Sequence, residues 1–191
     1  MSDEAFRADD ALLVVDVQND FCPGGALEVP CGDAVVPVLN RWLEAAAAAG
    51  VPIIASRDWH PVEHCSFQDQ GGPWPPHCIQ DTHGAAFHPD LALPSEAVRV
   101  SKGAAFDRDA YSAFDGTGLA TYLRRRGVRR LLVGGLAEDV CVQETVRGAR
   151  DAGFEVQVIL DAVRAVDPDG SAEARRAMTE AGAGLLESAG G

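Results

Sequence analysis

Three side chains stand out in this 191-residue chain because each follows a short apolar, β-branched run: Asp16 after "LLVV", Lys102 after "VRVS" and Cys141 shortly after "LLVGGL". A carboxylate, an ammonium and a thiol together suit nucleophilic chemistry. The carboxylate takes the thiol proton, the ammonium favours the thiolate, and a helix starting after Asp139 adds the positive end of its dipole. Taken singly, each has a plainer reading: Asp16 as a turn or cap residue, Lys102 as a solvated charge, Cys141 as helix packing. Their shared position at strand ends favours the chemical one.

A second group lies in "RDWHPVEHCSF" and the later "WPPHC". Asp58 and His60 are two residues apart, so at an extended strand end both side chains face one way, and His77 can join them from the following loop. One carboxylate with imidazoles suits a divalent metal, zinc foremost and iron or manganese as alternatives, with positions left for water or substrate. His64 is a candidate fourth ligand. The plain alternative is a set of surface loop histidines; His83 and His88, with no partner in the pattern, read as structural. A structural zinc site on Cys65 and Cys78 competes for the same loop but lacks paired C-x-x-C spacing. Cys22 and Cys31 read as packing residues.

These groups need elements to position them. Apolar runs at 11–16, 51–56, 97–101, 129–135, 154–160 and 183–187 alternate with helical patterns at 33–50, 118–127, 140–153 and 171–182. Strand and helix in alternation predict a mainly parallel six-stranded sheet with helices on both faces, an α/β fold whose ligands sit beyond the carboxyl ends of the strands. Gly50, Gly127 and Gly153 fall where helices should stop. Between 57 and 96 the pattern breaks. That stretch holds all five histidines and is too rich in reactive side chains to be only a connector. No repeat or linker divides the chain, so residues 1–191 read as one domain with a core at about 11–187.

Composition excludes several roles. A formal charge of −13 opposes a nucleic-acid or anionic-membrane partner, since either needs a basic face. The start "MSDEAFRADDALLVV" has no basic region followed by an apolar stretch, and no apolar run reaches membrane-spanning length. Five scattered cysteines are too few for a disulfide scaffold and read as reduced thiols. A cytoplasmic protein is expected; whether it forms a homo-oligomer is left open.

Five segments then carry a resemblance: "DVQNDFCPGGAL" (16–27), "RDWHP" (57–61), "WPPHC" (74–78), "DAYSAFDGTGL" (109–119) and "GLAEDVCV" (135–142). In combination and in order they resemble the nicotinamidase branch of the isochorismatase-like cysteine hydrolases, over nearly the whole chain. The resemblance implies a Rossmann-like three-layer fold and hydrolysis of nicotinamide, with pyrazinamide as a further substrate, to the acid and ammonia. It puts the family's catalytic Asp, Lys and Cys on Asp16, Lys102 and Cys141, and its metal ligands on Asp58, His60 and His77, with His64 added in some members. It also implies a cis peptide at Leu136–Ala137, an oxyanion hole from the N–H groups of Ala137 and Cys141, substrate contacts at Leu136 and Ala137, and aromatic walls at Phe21 and Trp74. Glu138, Val140 and His83 depart from the family pattern, which bears on substrate preference. Two rival readings share the scaffold: a relative that cleaves another small amide or an ether, and a binding module without catalysis.

Overall fold

β1 (Asp10–Val15) is buried along its whole length, which explains why "DALLVV" is almost uniformly apolar. Leu12 and Val14 join one apolar cluster and Ala11, Leu13 and Val15 another, so each face of the strand is covered. The computed structural model describes residues 6–187; residues 1–5 and 188–191 of the expected domain lie outside the described residues.

The other strands are β2 (Ile53–Asp58), β3 (Val98–Lys102), β4 (Arg130–Leu136), β5 (Glu155–Arg164) and β6 (Gly184–Leu186). They form one sheet in the order β3-β2-β1-β4-β5-β6. All five pairings are parallel, as the alternation of elements predicts. Helix α1 (Val35–Ala49) buries Val35, Val36, Leu39, Leu43 and Ala46, a stripe at helical spacing, on one face. Helices α2 (Leu119–Arg125), α3 (Gln143–Asp151) and α4 (Ser171–Glu180) bury Leu123, Val146 and Met178 on the other.

Strand order decides where a site can form. The chain builds outward from β1 to β2 and β3, then returns to place β4 against the other edge of β1. Between β1 and β4 the direction of winding reverses, and such switch points open a crevice at the carboxyl ends of the strands. Gly135 in β4 allows the close approach there. Its φ is +129°, and a Cβ on it would stand only 2.0 Å from the carbonyl oxygen of Val15. The register of β4 on β5 shifts between Val133 and Gly135, and the bulge carries β5 on to Arg164, past the expected end at 160.

β2 also differs from its expected span of 51–56. It runs Ile53–Asp58 because pairing with β3 continues through the polar "SRD", ending with Asp58 beside Lys102. Backbone pairing on the β3 side outlasts the apolar pattern that betrays a strand in sequence. Of the two cysteines read as packing residues, Cys22 is buried in the α1-side cluster. Cys31 is exposed, in a left-handed conformation at the start of a short helical turn.

Candidate active site

Asp16 sits one residue past β1 with φ +49°, fully buried. Its Oδ1 accepts a hydrogen bond from Ser56 Oγ at 2.7 Å. Its Oδ2 lies 2.9 Å from Lys102 Nζ, an ion pair outside ideal hydrogen-bonding alignment, and has no well-aligned hydrogen-bond donor. A buried acceptor left in that state is costly unless another donor uses it.

Lys102 closes β3 and reaches across β2. Its ammonium donates to Asp58 Oδ1 at 2.5 Å, to the Ala110 carbonyl at 3.3 Å and to Cys141 Sγ at 3.5 Å. The Asp16 and Asp58 carboxylates and the Cys141 sulfur each present an atom within 4.8 Å of the others. Strand ends thus bring together the three residues first singled out, with Asp58 as a fourth member.

The electrostatics revise one expectation. Burial pushes the Cys141 thiol well above its ordinary range; Lys102 pulls against that rise, and the charges of Asp16 and Asp58 add to it. The resting group is therefore a thiol, and the expected thiolate bias of Lys102 and the helix start does not prevail. Burial also raises Asp16, against the pull of Lys102 and with the help of Asp58. A carboxylate raised in this way is a stronger base toward a neighbouring thiol. Burial opposes the charge of Lys102 too, but Asp16 and Asp58 together hold it firmly as an ammonium.

Asp58 faces two ways. Beyond Lys102, its Oδ2 lies 3.5 Å from His60 Nε2 and 3.7 Å from His77 Nε2. His60 Nδ1–H donates to the Gly103 carbonyl and His77 Nδ1–H to the Pro75 carbonyl, both at 2.8 Å. A carbonyl only accepts, so each ring carries a proton on Nδ1 and turns its Nε2 toward Asp58. One carboxylate oxygen and two imidazole nitrogens within 4.8 Å of one another fit a divalent ion, with the partner on each Nδ1 that such ligands ordinarily have. Gln18 fixes the carboxylate's backbone: its side chain accepts from Asp58 N and donates to Asp58 O, both at 2.8 Å.

His64 lies outside that set. Its Nε2–H donates to the Arg108 carbonyl at 3.1 Å and its Nδ1 accepts from Ser66 Oγ at 2.7 Å, while its ring stacks on His60 with centroids 4.2 Å apart. Its ligand atom groups with His60 and Asp109 instead. No cluster of potential metal ligands among the described residues includes Cys65 or Cys78.

Cys141 lies in a single wide π-type turn, Glu138–Val142, between β4 and α3. The Ala137 carbonyl accepts from Val140 N at 3.1 Å and from Val142 N at 3.0 Å, and the Leu136–Ala137 peptide is cis. Such turns concentrate at functional sites. The crevice above them is lined by Cys141, Ala137, Asp58, His60 and His77, with Phe21 and Trp74 as aromatic walls. The Leu136 side chain is not on this wall; it is buried in the α1-side core, and its neighbour Ala137 faces the crevice. Besides Asp109 and Ala110, the lining includes Tyr111, Leu27, Val29, Val140 and Val166, and the Trp74 indole donates to Tyr111 Oη at 3.1 Å. Sequence reasoning assigned no wall role to these five. Tyr111 stands two residues from Asp109 in "DAYSAF", an alternation that could have marked it; the four aliphatic side chains carry no such signal.

Comparison with known proteins places this arrangement in context. Residues 10–190 match the family model of the isochorismatase domain. The nicotinamidase of Escherichia coli (strain K12) is 42% identical over 198 residues, spanning 92% of this chain and 93% of that protein. Among solved structures, the pyrazinamidase of Pyrococcus horikoshii in complex with zinc superposes with a TM-score of 0.91 at 44% identity, covering 94% of this chain and 99% of that one. PnC1 from L. infantum in complex with nicotinate gives 0.86 at 37% identity over 96% and 95%.

Proposed function

The chain belongs to the isochorismatase family, and from that premise we propose that it is a metal-dependent cysteine amidohydrolase that converts nicotinamide to nicotinate and ammonia through a thioester. The observation that carries the reading is Lys102, whose ammonium touches Asp16, Asp58 and Cys141 at once and so joins a thiol and its base to a metal-ligand cluster in one crevice.

In this reading Asp16 Oδ2, the oxygen not engaged by Ser56, takes the Sγ–H proton as the Cys141 sulfur attacks the carboxamide carbon. The N–H groups of Ala137 and Cys141 bind the oxyanion that forms. Loss of one such donor ordinarily costs a hundredfold or more in rate. The C–N bond breaks as Asp16 returns the proton to nitrogen, and ammonia leaves a thioester. Water, deprotonated by Asp16, adds to that thioester and releases nicotinate, and the thiol regains its proton. Lys102 keeps Asp16 ionised in a buried site that would otherwise neutralise it.

Asp58, His60 and His77 would hold one divalent ion, zinc by analogy with the Pyrococcus horikoshii protein. When bound, the ion supplies a Lewis acid beside the ring that can take the pyridine nitrogen directly or through water. Phe21 and Trp74 flank the ring and exclude solvent.

We further read residues 1–191 as one domain acting in the cytoplasm. All five cysteines are free, which suits a reducing compartment, and no helix among the described residues is long and apolar enough to cross a membrane. The test is release of ammonia and nicotinate from nicotinamide by the purified, zinc-loaded protein. Absence of both products at metal saturation would overturn the reading.

A further inference from the structure

No step above uses Glu138, although it is the first residue of the turn that carries Cys141. Its carboxylate is buried, with the residue only 1% exposed, and both oxygens are held by α4: Oε1 accepts from Arg175 Nε at 2.6 Å and Oε2 from Ser171 Oγ at 3.0 Å. The next residue, Asp139, accepts from the backbone N–H groups of Val166 and Asp167, at 2.9 and 3.0 Å, just ahead of α4. Two successive carboxylates therefore tie this turn to the segment beyond β5.

A turn between a strand and a helix does not need such ties. The Ala137 carbonyl already closes it through Val140 and Val142 N–H, and burying a carboxylate is unfavourable unless its partners are held in good geometry. Glu138 follows Ala137 directly and precedes Cys141 by three residues, so any rotation of the turn moves both N–H groups relative to the crevice. Asp58, His60 and His77 lie on β2 and the loop after it, outside the reach of that rotation.

Resting on the amidohydrolase reading, we propose that Glu138, held by Arg175 and Ser171, is a positioning residue that aims the Ala137 and Cys141 N–H groups at the oxyanion. Helix α4, which supplies no side chain to the crevice lining, thereby tunes binding of the tetrahedral species and leaves ground-state binding alone. Arg175 is the cleaner place to perturb it, because its side chain is 38% exposed and does not line the crevice.

The experiment compares two probes on zinc-loaded wild type, Arg175→Gln and Glu138→Gln. Pyridine-3-carboxaldehyde adds Cys141 across its carbonyl: the S–C bond forms, the C=O π bond becomes an oxyanion, and the thiol proton passes to Asp16, giving a tetrahedral adduct without loss of any atom. Nicotinate is planar and makes no such bond. Both variants should lose about tenfold or more in aldehyde affinity and in kcat, while nicotinate affinity, KM and zinc affinity stay within about twofold. Arg175→Lys, which keeps the charge but loses the guanidinium geometry, should fall between Arg175→Gln and wild type. Aldehyde affinity that is unchanged, or that falls in proportion with nicotinate affinity, would overturn the inference while leaving the amidohydrolase reading intact. Wild type that binds no aldehyde would overturn both. Should Glu138→Gln fail to fold, the Arg175 pair decides alone.

Discussion

Replacing Gly103 with Ala tests the cradle that aims His60. The Gly103 carbonyl accepts a hydrogen bond from His60 Nδ1 at 2.8 Å. A Cβ added there would stand 2.5 Å from His60 Cε1 and 2.7 Å from Nδ1. Ordinary contact begins near 3.4 Å, so the ring must recede by about 0.9 Å. Metal–ligand distances tolerate shifts of only about 0.2 Å, and disturbing the partner of a ligating histidine costs roughly 10–100-fold in metal affinity. Backbone strain adds a separate cost, because φ at Gly103 is +66° and alanine there loses about 1–2 kcal/mol. Gly116 provides the control: its φ is +67°, with nothing within 4 Å of an added Cβ. Gly116→Ala should lose comparable stability from backbone strain and bind zinc as wild type does. Gly103→Ala should bind zinc at least about tenfold more weakly in competition with a chromophoric chelator, with the two variants compared by urea unfolding in the presence of EDTA. Equal zinc affinity in the two variants would refute the cradle.

Cys141→Ala should keep stability within about 1 kcal/mol, since the thiol is small, yet release no ammonia above background; Asp16→Asn should be nearly as inactive because an amide cannot take the thiol proton, and turnover by either variant at a rate near wild type would count against the mechanism. His77→Ala should lower zinc content and activity in parallel, whereas His64→Ala should retain zinc, because the His64 Nε2 proton is committed to the Arg108 carbonyl; inductively coupled plasma analysis of both variants decides this. Benzamide, which has the carboxamide but no ring nitrogen, should react with a kcat/KM at least about a hundredfold below that of nicotinamide, and similar values would mean the metal site does not recognise the ring. Burial and, secondarily, Asp33 push the Cys22 thiol up to about 11 from an ordinary 9.0. Between those values the unfolded chain sheds a proton that the folded chain keeps, so stability is fully present below pH 9 and falls as pH rises. Cys22→Ala should show a smaller drop in urea midpoint from about pH 8 to about pH 10.5 than wild type, and an equal drop would refute the assignment.

Much of this molecule is legible in the chain before it folds. Apolar runs of strand length alternating with helical stripes set the layers, because a strand buried on both faces has no polar positions to spare. The same runs mark where strands end, which is why Asp16, Lys102 and Cys141 could be singled out and why Asp58 and His60, two apart, read as a pair. Tertiary structure decided the rest. The order β3-β2-β1-β4 sets Lys102 and Asp16 two strands apart with Asp58 between them, a bridge across residues 16, 58, 102 and 141 that no local spacing encodes. Burial at that bridge turned an expected thiolate into a thiol, since desolvation depends on everything packed around a group and not on its neighbours in sequence. His60 and His77 face Asp58 while His64 is held by Arg108 and Ser66, although all three stand in the same histidine-rich stretch. Which imidazole turns inward depends on which carbonyl or hydroxyl meets its other nitrogen, and those partners come from chain segments that only folding brings together.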